Sequence, residues 1–181
     1  MELGPVDRIT ADAVGEPGAR TFYLQARAGT EVVTVIVEKQ QVQLLAASVL
    51  ELLEDAPEAE PTEVEPAADP PAMGLEEPLD PRWRAGRLSI GFDQDRDLFL
   101  LEVEEFQPDL EELDVDDPRP LVPETEPESI RIWASPPQML ALSRHGTAVA
   151  ARGRPTCQFC GNPIDAEGHA CPAMNGHSAR G

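Results

Sequence analysis

Two acidic, proline-rich runs break this chain, and they set how much of it can build a core. Residues 40–81 hold 11 Asp and Glu and no Lys or Arg, with seven prolines between Pro57 and Pro81. A second zone, from Asp93 to Glu128, has 15 acids against two arginines, and its part from Gln107 to Pro127 is again dominated by Pro, Asp and Glu. Segments so poor in apolar side chains cannot offset the ordering entropy of their backbone, so disordered acidic linkers are expected at about 56-81 and 107-127. About 130 residues remain, enough for one modest core and not two. The expected organisation is therefore one α+β domain over 1-153, interrupted by the two linkers, and a small tail over 154-181.

Charge narrows the range of partners. The 181 residues carry 34 acids against 14 Lys and Arg, a net charge of −20. Such a surface repels phosphate backbones and anionic lipid, so the chain as a whole is a poor nucleic-acid or membrane binder. The two acidic zones together hold 26 of the 34 acids, and from Ser129 onward five arginines face two acids. No stretch approaches the ~18 to 20 apolar residues of a membrane-spanning helix, and no basic region followed by an apolar run opens the chain. A cytosolic protein is the expectation.

Outside the linkers, one pattern occurs twice. Thr21–Ala28 and Glu31–Glu38 are rich in β-branched and aromatic residues, with Gly29 between them where a hairpin needs positive φ. Asp7–Val14 supplies a further strand. Val42, Leu45, Val49, Leu52 and Leu53 then fall on one face of a helix over Gln41–Glu54. In the second half Arg84–Phe92 alternates, Asp93–Asp97 is a polar turn, Leu98–Phe106 is extended, and Ile130–Ala134 alternates again. A helix follows: Ser135 is a suitable N-cap, Pro136 suits the first turn, and Met139, Leu142, Gly146 and Val149 form one face before Gly153 and Pro155 stop it. The class is α+β, a largely antiparallel sheet with two packed helices, readable as a ββα pseudo-repeat or as chance alternation.

All three cysteines lie in the tail, with the spacing C-x2-C-x8-H-x-C from Cys157 to Cys171. A C-x2-C pair puts two thiolates on one tight turn, and Gly161 directly after it permits the bend that aims both sulfurs at one ion. Cys157, Cys160, His169 and Cys171 supply the four soft donors that structural Zn²⁺ prefers, as in a zinc knuckle; His177 is the competing histidine. A disulfide would leave one cysteine odd. A redox C-x-x-C ordinarily opens a helix, whereas Gly161-Asn162-Pro163 breaks one. A catalytic variant, with water in place of His169 and Asp165 or Glu167 as the base, lacks a deaminase-type spacing of Glu and His. A closed site is structural, because turnover needs an open position.

Catalytic signatures are missing elsewhere. There is no phosphate-binding glycine loop, no dinucleotide fingerprint, no serine-hydrolase elbow and no H-E-x-x-H. His145 reads as a surface or satisfied core histidine, and Lys39, the only lysine, as a structural or surface residue.

Three separated motifs carry a resemblance. Gly15-Glu16-Pro17-Gly18-Ala19-Arg20-Thr21-Phe22-Tyr23-Leu24-Gln25-Ala26, then Glu38-Lys39-Gln40-Gln41-Val42, then Gly153-Arg154-Pro155 leading into the Cys/Cys/His/Cys tail resemble the actinobacterial DUF3090 family of uncharacterised proteins. The resemblance implies a cytosolic protein, favours His169 over His177, and brings no activity with it.

The function expected from all this is a non-enzymatic interaction module with a structural zinc tail, its partner another protein. One alternative is an enzyme acting on an anionic small molecule near Arg20, Tyr23, Lys39 and Gln40. The other is RNA contact through Arg152, Arg154 and Arg180 around the tail.

Overall fold

The computed structural model describes residues 1–55, 73–107, 126–153, 157–161, 164, 169–172 and 178–179. Most of the two expected linkers, 56–72 and 108–125, lies outside the described residues.

The chain opens with a two-residue strand, β1 (Glu2–Leu3), and continues into an antiparallel meander of β2 (Arg8–Val14), β3 (Thr21–Ala28) and β4 (Glu31–Val37). Gly29, at φ +60°, makes the β3–β4 turn as anticipated. The helix α1 (Lys39–Asp55) follows. It starts two residues before the expected Gln41, because the Glu38 N–H donates to Gln41 Oε1 at 2.7 Å and the Val42 N–H to Glu38 O at 3.1 Å. That is the backward-reaching arm of a capping box. A second triplet, β5 (Pro81–Asp93), β6 (Leu98–Glu105) and β7 (Ser129–Ala134), is again antiparallel and is again closed by a helix, α2 (Pro136–Ala151). Ser135 is its N-cap, its N–H donating to Gln138 Oε1 at 2.9 Å.

The sheet order is β1-β7-β6-β5-β4-β3-β2. The triplets meet at β4 and β5, which run parallel because α1 carries the chain across between them. The other end is tied by the N-terminal segment. β1 pairs parallel with β7, the Val6 N–H donates to Trp133 O at 2.8 Å, and the very next amide, Asp7, donates to Arg27 O of β3 at 2.8 Å. One short run of chain therefore supplies β1 at one edge of the sheet and leads into β2 at the other, and so curls it round. Sequence reading missed β1, since two residues show no periodicity.

Register explains the core. Ala11, Leu24 and Val35 pair across β2, β3 and β4, and Val103 and Ile130 pair across β6 and β7; all are buried. Each fully buried side chain of this size contributes roughly 1.5–3 kcal/mol. The helices lie on the same face, α2 along β2 and α1 between α2 and β5. Their crossing needs Gly146, since a Cβ there would lie 2.9 Å from Val42 Cγ1 and 3.7 Å from Ala11 Cβ. Beside it, Ser143 Oγ donates to Ala46 O at 2.8 Å.

The opposite face of the first meander is polar yet buried. Thr10, Gln25 and Thr34 form one cross-strand row, all under 4% exposed. Residues Met73–Glu76, placed by composition inside the first acidic segment, pack over this row. Gln25 Nε2 donates to Thr34 Oγ1 and to Glu76 O, each at 3.0 Å, while the Glu76 N–H returns a bond to Gln25 Oε1 at 2.7 Å. Thr10 and Arg8 donate to the carbonyls of Met73 and Gly74. Buried polar groups of this kind persist only when paired, and here they are. No helix among the described residues is long and apolar enough to cross a membrane.

Candidate metal centre

The α2 helix ends at Ala151 and Arg152 caps it, donating its N–H to the carbonyls of Ala148 and Val149. The segment expected to form the tail, 154-181, follows. Its first described feature is a turn over Gln158–Cys160, closed by the Gly161 N–H donating to Cys157 O at 2.8 Å. Gly161 sits at φ +72°, a conformation that costs a side-chain-bearing residue and costs glycine nothing. Both cysteines of the pair are thereby held on one bend. Later the chain forms a short ladder of β8 (His169–Ala170) with β9 (Ser178–Ala179), and Cys171 follows β8 directly.

This arrangement converges three sulfurs. Cys157, Cys160 and Cys171 place their Sγ atoms within 4.8 Å of one another, with Cys157 and Cys171 buried. All three are free thiols, and Cys157 Sγ lies 3.8 Å from Cys171 Sγ. A tetrahedral ion with Zn–S arms of ~2.3 Å has edges of about 3.8 Å, whereas a disulfide needs ~2.05 Å. Hydrogen bonds from the backbone N–H of Phe159, and then of Cys160, hold the Cys157 thiol below its ordinary value, against the opposing effect of burial. A sulfur so placed is predisposed toward the thiolate that binds metal. Three soft donors on a small triangle, two of them buried and Cys160 partly so, fit a thiophilic divalent ion.

Of the other residues singled out in the tail, His169 has its backbone paired with Ala179 in the β8–β9 ladder. His177, Arg154 and Arg180 lie outside the described residues.

The structure brings together two of the four residues suggested for an anion cleft. Arg20 stacks on Phe22 at 5.3 Å and donates to Val149 O at 3.1 Å, at the C-terminal end of α2. A Cβ on Gly153 would meet Lys39 Nζ at 3.4 Å and Arg20 Nη2 at 3.8 Å. Tyr23 instead pairs with Asp12 and Ile36 inside the sheet, and Gln40 is exposed on α1. His145, read as a core or surface residue, has its Nε2 3.3 Å from Asp12 Oδ2. That distance makes an ion pair when the imidazole is protonated, but the geometry is not that of a hydrogen bond. Sequence reading had no signal for this pairing, which depends on how α2 lies along β2.

A curled, mostly antiparallel α+β sheet with two helices and a cysteine-clustered tail defines the class. The model of the family described as "Protein of unknown function (DUF3090)" matches residues 1–171, so the chain belongs to that family, and the match takes in all three cysteines. No curated protein and no solved structure matches the chain.

Proposed function

We propose that this chain is a non-enzymatic protein-interaction module whose tail, over 154-181, is folded by one structural Zn²⁺ held by Cys157, Cys160, His169 and Cys171. The convergence of the three sulfurs within 4.8 Å carries the reading. His169 completes the set on spacing: it stands two residues before Cys171, and alternate residues of an extended segment share a face. Three thiolates and an imidazole fill a tetrahedron and leave no position for a reacting water, so such an ion acts as a staple. A tail this poor in aliphatic residues needs one, and structural zinc is worth ~10 to 16 kcal/mol in comparable peptides. Metal analysis of the purified full chain tests it. About one equivalent of zinc is expected, and less than about half an equivalent removes the foundation.

A second reading, an enzyme acting on an anionic small molecule, has one observation in its favour, the approach of Arg20 and Lys39 to Gly153. Inorganic phosphate that raises the melting temperature of the full chain, but not of Lys39→Ala, would support it.

A further inference from the structure

The parallel joint between the two triplets is incomplete. β4 and β5 pair at Thr34 with Pro81 and at Ile36 with Arg84, and there the pairing stops. β5 runs on to Asp93, bonded along this whole length to β6 on its other side. Where β4 would have continued, α1 departs, and the side chain of Gln41 takes over: its Nε2 donates to Gly86 O at 3.0 Å and to Ala85 O at 3.3 Å. Beyond Gly86 no described strand pairs with this side of β5. Successive residues of a strand direct their N–H and C=O alternately to the two sides, so Arg87–Asp93 keeps a row of backbone donors and acceptors facing the gap.

The gap is a cleft of about 290 Å³, walled by Leu44, Leu45 and Ser48 of α1 and by Arg87, Ser89 and Ile90 of β5. Its α1 rim is apolar and uncovered, with Leu44 69% exposed. Leu88 and Ile90 are only partly buried against the core. Its one charged lining residue is cationic: Arg87, paired in the sheet with Glu104 of β6, makes no side-chain hydrogen bond or ion pair among the described residues.

We propose that this cleft is a docking groove for an extended peptide, added as a strand along Arg87–Asp93 between β5 and α1, with aliphatic side chains toward Leu44 and a carboxylate opposite Arg87. An open strand edge beside a helix is the arrangement in which backbone bonds supply affinity and alternate side-chain pockets supply specificity. Alternation sends one set of peptide side chains onto the apolar α1 wall and the other to the opposite face of the sheet, where cross-strand pairing favours a charge opposite to that of Arg87. The inference supplies a partner class to the interaction-module reading and rests on it, but it uses none of the residues of the metal centre.

The test is selection of phage-displayed random octapeptides on the full, metal-replete chain, with counter-selection on Leu44→Asp and zinc content measured in the same preparations. The most enriched peptide is then synthesised and its binding followed by fluorescence anisotropy. Enriched sequences should alternate aliphatic with acidic residues, bind at least tenfold more weakly to Leu44→Asp, and shift toward Lys and Arg on Arg87→Glu. Leu44 and Arg87 are exposed, so both variants should keep the circular dichroism and zinc content of the parent. Equal recovery on the parent and on Leu44→Asp, or binding indifferent to Arg87→Glu, overturns the proposal even where zinc is retained. A concentration-dependent dimer that Leu44→Asp abolishes gives the groove to a second copy and also overturns it.

Discussion

The sulfur of Cys157 stands 3.8 Å from that of Cys171, though 14 residues separate them in the chain. Between them comes a glycine-closed turn carrying Cys160, and then the chain returns through β8. The two halves of the cluster thus come from different local structures, and nothing in either half alone would hold them together. A thiol contact is a weak hydrogen bond at best, so the closeness makes physical sense chiefly as a preformed seat for an ion.

Replacing Cys157, Cys160 or Cys171 by Ser should therefore lower bound zinc from about one equivalent to near zero and release the tail, leaving the two-layer domain folded. Limited proteolysis with mass spectrometry should show new cleavage confined to residues beyond Gly153, at a rate that chelator reproduces in the parent chain. Melting of the main domain should change by less than about 1 kcal/mol, since its last helix ends at Ala151 and is capped by Arg152, before the tail.

The helix crossing gives a sharper packing prediction. A Cβ at Gly146 would lie 2.9 Å from Val42 Cγ1. Gly to Ala inside a helix ordinarily gains about 1 kcal/mol in propensity, while forcing an extra methyl into a close-packed core costs about 1–3 kcal/mol. Val42 is β-branched and fully buried, so it has little freedom to yield, and the packing cost wins. Gly146→Ala should destabilise the fold by about 1 kcal/mol in urea denaturation. Val42→Ala alone should cost more than it does in the presence of Gly146→Ala, giving a favourable coupling in the double-mutant cycle.

Much of the architecture was legible because it follows from periods of two and of 3.6 residues. The strand over Thr21–Ala28 falls where β-branched and aromatic residues placed it, β6 ends at Glu105, one residue short of the extended run Leu98–Phe106, and Met139, Leu142, Gly146 and Val149 are buried on one helix face as expected. The turn carrying Cys157 and Cys160 was equally legible, since the spacing and Gly161 define it locally, whereas Cys171 reaches it only as the chain returns through β8. Three features were not. The curl of the sheet depends on Val6 bonding to β7 and Asp7 to β3, strands far apart in the sheet order, a relation between distant residues that no window reveals. The cleft beside β5 opens where α1 departs and the Gln41 side chain takes over the carbonyls of Ala85 and Gly86, and a glutamine on a helix carries no mark of that role. The buried row of Thr10, Gln25 and Thr34 reads in sequence as a solvent-facing side, because the segment that covers it looks like linker.

That row yields the last prediction. Gln25 is 1% exposed and its carboxamide serves the hydroxyl of Thr34, the carbonyl of Glu76 and the amide of Glu76. Gln25→Leu keeps the volume but strands the Glu76 N–H and C=O, and each buried polar group left unpaired costs about 1–3 kcal/mol. The variant should lose about 2–4 kcal/mol of stability, more than a surface substitution in the same strand. Arg8 and Arg27 both pair with the Glu76 carboxylate, at 3.4 and 3.3 Å, so they hold the covering segment only from its rim. Those pairs are partly solvated, and Glu76→Gln should cost no more than about 1 kcal/mol. Hydrogen exchange would separate the two effects: Gln25→Leu should expose the amides of Met73–Glu76 to exchange together, while Glu76→Gln should leave them protected. Equal exchange in both variants would mean that the ion pairs fasten this segment to the sheet as firmly as the buried carboxamide does.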